Sequence, residues 1–199
     1  MGRQAMMRLF VAVDFSAEAI EEATRVADEI RRRSRAPLRW VPSSNLHVTV
    51  RFIGHVAEDV DALITTVTAP VPLRPFDVAL GACGAFPPSG AVRVVWIGLT
   101  AGSRELSELS GTMDDRLRPF GFEPEGRPFS PHLTIARAER HARVPRDLRD
   151  LLAHVTVRPI VTRVERAVLY RSHLSPKGPR YEPLAAIPLA GEPPGLPLD

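Results

Sequence analysis

Two periods of apolar spacing run through this chain, one of two residues and one near 3.6, and they change over at turn residues. A nearly continuous apolar run, RLFVAVDF, predicts a buried strand near the start. It gives way to SAEAIEEATRVADEIRRRS, whose apolar positions recur at helical spacing behind Ser16, a residue suited to capping a helix. Two strand-like runs follow, LRWV and NLHVTVRFIG, split by the turn residues Pro42, Ser43 and Ser44. A second helix is expected over Glu58 to Thr68, ending before APVP. FDVALGACGAF and VRVVWIGL then read as strands joined by the loop PPSG, and a third helix spans Ser103 to Arg118, weakened by Gly111. After the loop PFGFEPEGRPFSP come a short strand, HLTIAR, a short helix, VPRDLRDLLA, and three more strand-like runs, HVTVRP, RVERAVLYRSHL and RYEPLAAIPL. The closing AGEPPGLPLD, rich in Pro and Gly, predicts a disordered tail over residues 189–199, leaving 1–188 as one unit.

The pattern repeats. Sliding the chain by 85 residues lays Leu9 to Val13 on Val94 to Gly98, the helix from Ala17 to Arg33 on that from Gly102 to Arg118, and His47 on His132. Strand, helix and an H-x-T strand recur in one order, which predicts two half-units related by an approximate two-fold and facing each other across a cleft. In an extended strand, residues i and i+2 share a face. His47 and Thr49 therefore point together over Val48 and Val50, as do His132 and Thr134 over Leu133 and Ile135. Two imidazoles and two hydroxyls around one cleft suit a phosphate: a neutral histidine can deprotonate water while a protonated one delivers a proton to the leaving oxygen. A third copy, HVTVR from His154 to Arg158, lies only 22 residues after His132 and is followed by Pro159. No half-unit can be built around it, so His154 reads as structural, at the C-terminal end of a helix whose dipole it complements.

Composition changes this picture little. The 199 residues, 44% apolar and 25% charged, fit one soluble globular unit. No apolar run approaches the ~20 residues of a membrane helix, and the opening MGRQAMMRLFVAVDF lacks the hydrophobic stretch and cleavage site of a signal peptide, so no membrane association and a cytoplasmic location are expected. Cys83, the single cysteine, cannot form an internal disulfide and reads as a small buried residue. Net charge is +3 with Lys177 the sole lysine, so nearly all positive charge is arginine. Genome composition accounts for that bulk excess as readily as phosphate binding does, and the net charge favours an anionic ligand only mildly.

With both motifs in place, the sequence resembles the two-histidine phosphoesterase superfamily, specifically its bacterial and archaeal RNA 2′,3′-cyclic phosphodiesterase branch, historically called 2′-5′ RNA ligases. The resemblance covers nearly the whole chain, through RLFVAVDF, NLHVTVRFIG, GAFPPSGAVRVVWIGL, RPFSPHLTIAR and LYRSHLSPKGPRYEPL. It implies an α+β, bilobal fold of two antiparallel sheets with outer helices around a central cleft. It also implies hydrolysis of RNA or nucleotide 2′,3′-cyclic phosphates to 2′-phosphomonoesters without metal or other cofactor. Carried over by position, His47 looks like the proton donor to the 3′ oxygen, His132 like the base that activates water, and Thr49 and Thr134 like the groups that hold the non-bridging oxygens.

Further residues are candidates for binding substrate. Arg51 lies two positions beyond Thr49, on the same face of an ideal strand, where the family usually carries a basic residue; a surface role is the competing reading. Arg137 has the opposite parity from His132 and reads as a structural salt-bridge residue. Arg127 and Phe129 lie on the loop before the second motif and could contact the nucleotide. Tyr181 and Ser172 belong to the family-like C-terminal block, where packing competes with substrate contact, and Trp40 and Trp96 read as core residues unless one stacks on a base. Three other activities stay open: ATP-independent 2′-5′ ligation by the same site in reverse, RNA or phosphate binding without turnover, and a metal centre on the two histidines. No P-loop is present, and no carboxylate stands at the neighbouring same-face positions. A monomer is expected, since no coiled-coil repeat occurs.

Overall fold

A computed structural model of the chain describes residues 6–57, 60–176 and 178–191. The first apolar run forms β1 (Met6–Val13), and the helical pattern after it forms α1 (Ala17–Arg33), with the Ser16 side chain accepting a hydrogen bond from the Ala19 amide at 3.3 Å. There follow β2 (Leu38–Trp40), a single 3-10 turn at Ser43–Asn45, β3 (Val48–Ala57), α2 (Asp61–Thr68), β4 (Phe76–Phe86), β5 (Val94–Ala101), α3 (Ser103–Leu117), β6 (Leu133–Ala138), α4 (Leu148–Ala153), β7 (Val161–Val164), β8 (Arg166–Ser175) and β9 (Gly178–Pro188). No helix among the described residues is long and apolar enough to cross a membrane.

The strands lie in the order β7, β4, β5, β6, β3, β1, β8, β9, with β2 added on β6, and every strand pair is antiparallel. The two sheets that the resemblance implies meet in one ladder, joined where β3 and β6 pair Val48 with Leu133. Helix α1 packs against β6, α3 against β3 and α4 against β4. Leu9, Ile97, Leu106, Met113 and Leu133 are fully buried between these layers, each such side chain stabilising the fold by roughly 1.5–3 kcal/mol. The opposite face of the two central strands stays open as a cleft.

The strand registers carry the internal repeat. Val13 pairs with Val48 and Ala12 with Thr49 in one half; Ile97 pairs with Leu133 and Trp96 with Thr134 in the other. The histidine strands thus correspond at the expected offset of 85, whereas β1 and β5 correspond at 84, one residue less than the sequence alignment placed them.

Three other expectations are revised. HVTVRP forms no strand: residues 155–160 are irregular, because the Arg158 amide donates to the Glu22 carboxylate at 2.8 Å and Pro159 has no N–H to offer a ladder. RVERAVLYRSHL splits at Glu165 into β7, which pairs with β4, and β8, which pairs with β1 at the other end of the sheet. Residues 189–191 are fixed rather than loose, since the Leu189, Ala190 and Gly191 amides donate to the carbonyls of Glu165, Val71 and Leu73. The rest of the expected tail, and positions 58 and 59 of the second expected helix, lie outside the described residues.

Candidate active site

His47 and His132 each stand immediately before the strand that the repeat assigns them, on either side of the Val48–Leu133 pair. Continuing that antiparallel register by one residue each way sets His47 opposite Thr134 and Thr49 opposite His132. All four side chains line one cleft of about 330 Å³. Beneath them Val48, Val50, Leu133 and Ile135 are at most 2% exposed, which fixes the strands from behind.

Both imidazoles are oriented from two residues upstream. His132 Nδ1 lies 2.7 Å from the Ser130 carbonyl, a contact that requires the proton on Nδ1 and leaves the Nε2 lone pair for the cleft. His47 makes a backbone hydrogen bond at Asn45, the residue corresponding to Ser130, and its Nε2 lies 3.0 Å from the Thr49 hydroxyl. Aromatic rings wall each imidazole. Phe10 stacks on His47 at 5.0 Å between centroids and Tyr181 meets its edge at 5.2 Å; Phe86 meets His132 edge-on at 5.0 Å. Burial among these rings lowers the pKa of His47 to about 4, against a smaller raising effect from the Asn45 bond, and Arg137 adds a lowering charge. His132 is lowered by the same causes, burial first, with its Ser130 bond opposing. Burial thus favours the neutral form of both histidines at pH 7.

The two strand arginines exchange the roles that strict alternation assigns. On β3, Val11 pairs with Arg51 and Ala12 with Thr49, so Val50 is the extra residue of a β-bulge. The bulge turns Arg51 to the helix side, where it is 6% exposed, its Nε 2.6 Å from Asp114 without hydrogen-bond alignment, and its Nη2 donating to the Glu123 carbonyl. Phe52 takes the place in the cleft wall that Arg51 was expected to hold. Ile135 is the corresponding bulge on β6, since Val95 pairs with Ala136 and Trp96 with Thr134. It turns Ala136 into the core and brings Arg137, expected to point away, into the cleft beside Thr134.

Of the remaining candidates, Tyr181 and Ser172 line the cleft. Ser172 is 7% exposed and its hydroxyl has no hydrogen-bond partner among the described residues. Arg127 and Phe129 do not line it; Arg127 is exposed on the loop and Phe129 packs on the core. His154 closes α4, with Nδ1 2.6 Å from the Asp150 carbonyl. Trp96 packs on Phe86 at a tilt, 5.2 Å between centroids, and lies over Gly84, where a Cβ would fall 2.2 Å from the indole, so only glycine admits the ring. Trp40 is covered by the Arg31 guanidinium at 5.5 Å. Arg8, Phe10 and Asn45 also line the cleft; they lie in RLFVAVDF and NLHVTVRFIG but are not among the expected site residues, and strand pairing of β1 with β3 is what brings the first two there.

The chain and its fold are similar to those of known proteins. The 2′-5′ RNA ligase superfamily signature matches residues 16–176. An RNA 2′,3′-cyclic phosphodiesterase of Aeropyrum pernix is 33% identical over 166 residues, covering 83% of this chain and 94% of that protein. The crystal structure of TT0787 of Thermus thermophilus superposes with a TM-score of 0.77 at 28% identity, covering 94% of this chain and all of that one. That of Escherichia coli LigT complexed with 3′-AMP superposes with a TM-score of 0.72 at 27% identity, covering 93% and 99%. With its paired histidine strands, its bilobal sheet and this match along most of its length, the chain belongs to the 2′-5′ RNA ligase superfamily.

Proposed function

We propose that this protein hydrolyses RNA 2′,3′-cyclic phosphate ends to 2′-phosphomonoesters by acid and base catalysis with its two histidines, requiring no metal. The observation that carries the proposal is the convergence of His47, Thr49, His132 and Thr134 on one cleft, each imidazole tied to the backbone two residues upstream. Relatives named RNA 2′,3′-cyclic phosphodiesterases and a LigT structure holding 3′-AMP support the substrate class.

In this reading the cyclic phosphate lies between the imidazoles. The Thr49 and Thr134 hydroxyls donate to its non-bridging oxygens, and Arg137 supplies the positive charge that grows in importance as the phosphorus becomes five-coordinate. His132 Nε2 takes the proton of the attacking water, whose oxygen bonds to phosphorus; the bond from phosphorus to O3′ breaks, and His47 delivers its proton to that oxygen. Burial favours neutral His47, and a phosphate anion beside it favours the charged form. An imidazolium destabilised by burial is a strong proton donor, which suits the leaving-group side.

The test is turnover of a nucleoside 2′,3′-cyclic monophosphate and of a short RNA with the same terminus, with chelator present and 2′- and 3′-phosphate products resolved. Expected are a 2′-phosphate product, insensitivity to chelator, and losses of several orders of magnitude in His47→Ala and His132→Ala, with His154→Ala close to the parent. RNA binding without turnover would replace the proposal with a binding module, and equal losses in all three variants would remove the assignment of the two histidines.

A further inference from the structure

The short strand β2 pairs with the edge of β6 that also meets β3, opposite β5, and its register places Arg39 directly opposite Arg137. Directly paired residues of an antiparallel ladder project from the same face. The neighbours agree: Leu38 and Trp40 pack on the core side with Ala136, so Arg39 shares the sheet face of Arg137 and lies just beyond the cleft lining, next but one to Val41, which lines it. Arg39 is exposed, and neither arginine has a carboxylate within ion-pairing distance among the described residues. Like charges placed directly across two strands disfavour the pair. On α1, by contrast, Arg25 and Arg33 share the Glu29 carboxylate. This pair extends the positive charge of Arg137, which lines the cleft, onto β2 beside it.

We propose that Arg39 binds the phosphate one nucleotide upstream of the cyclic end, so that the pair with Arg137 reads two consecutive phosphates and makes the site favour an RNA strand over a mononucleotide. This rests on the function proposed above. The strand spacing of about 4.8 Å at the backbone, widened by two flexible side chains, suits charges set one nucleotide apart. A phosphate contact of this kind positions the strand without reading its bases, so the preference is for length and not for sequence.

The experiment compares kcat/KM on a nucleoside 2′,3′-cyclic monophosphate and on a pentaribonucleotide with the same cyclic end, for the parent, Arg39→Gln, and Arg32→Gln on the outer helix as a control for net charge. Expected is a parent preference for the pentanucleotide that Arg39→Gln reduces about ten- to a hundredfold, the magnitude of one charge-assisted contact, with the mononucleotide unchanged. The slope of log kcat/KM against log salt on the pentanucleotide should fall by about 0.7, one phosphate contact on a single strand. Arg32→Gln should do neither. Equal effects of Arg39→Gln on both substrates, or none on either, would overturn the proposal while leaving the hydrolase standing. If the parent turns over neither substrate the hydrolase reading falls. Anisotropy of a labelled pentanucleotide ending in a 2′-phosphate then decides the Arg39 contact, since weaker binding in Arg39→Gln alone supports it and unchanged binding removes it.

Discussion

Arg51 ends between Asp114 and the Glu123 carbonyl on the helix side of the sheet, while Arg137 ends in the cleft beside Thr134. Replacing Arg51 by Gln removes the positive charge beside Asp114, itself only partly exposed, and should destabilise the fold by about 1–3 kcal/mol while the folded fraction keeps its kcat/KM. Replacing Arg137 by Gln removes the charge that the proposed reaction sets against the phosphate, and should lower kcat/KM about 100-fold with the melting temperature nearly unchanged. Thermal unfolding and steady-state kinetics on both variants check the pair, and a result with the two exchanged would place the phosphate on the other side of β3. The histidines and threonines were legible because each pair needs only the i, i+2 rule across three residues before the bulge begins. The arginines were not, because one extra residue at Val50 and at Ile135 inverts parity, and nothing in the apolar pattern of VTVRF or LTIAR marks it.

At the level of elements, α1 carries one residue that its amphipathic pattern does not explain. Glu22 lies fully buried in the stripe of Ala19, Ala23, Val26 and Ile30. Its carboxylate accepts from Arg25 at 2.7 Å, and from the Arg158 amide and side chain at 2.8 and 2.7 Å. The third HVTVR copy thus ends in a clamp that fastens the irregular segment to α1, although its sequence matches the first copy; what separates them is the partner each segment finds across the fold. A lone carboxylate in an apolar helical stripe was the available signal for that clamp. The Arg25 hydrogen bond foremost, with both Arg158 contacts, holds the Glu22 pKa down to about 2. Its stabilising effect is therefore complete above about pH 4.5, the unfolded value, and is lost as pH falls towards 2. Glu22→Gln should lower stability by about 1–3 kcal/mol at pH 7 and flatten the dependence of stability on pH between 4.5 and 2. Urea unfolding at several pH values measures both, and an unaltered acid slope would show that the clamp is not ionic.

Over the whole molecule, the two halves meet at Val48 and Leu133, and that junction sets the imidazoles against aromatic walls from both lobes. The repeat was visible in the sequence because strand, helix and histidine strand recur in order. The single ladder was not, because nothing along the chain says that the third strand of each half will pair with its counterpart. The shared cleft couples protons to anions. Below about pH 6.5 an unfolded chain protonates histidines that the folded chain keeps neutral, so stability falls as pH drops from 6.5 towards the His47 value of about 4. An anion in the cleft reverses part of that loss by favouring the imidazolium. Sulfate, doubly charged throughout this range, should accordingly raise the melting temperature more at pH 5 than at pH 7. A His47→Gln, His132→Gln double variant should lose that difference and melt with a flatter pH dependence from 7 to 5. A sulfate effect of equal size at both pH values, or one retained in the double variant, would mean that the histidines do not bind the anion together and that the two lobes meet without forming a phosphate site.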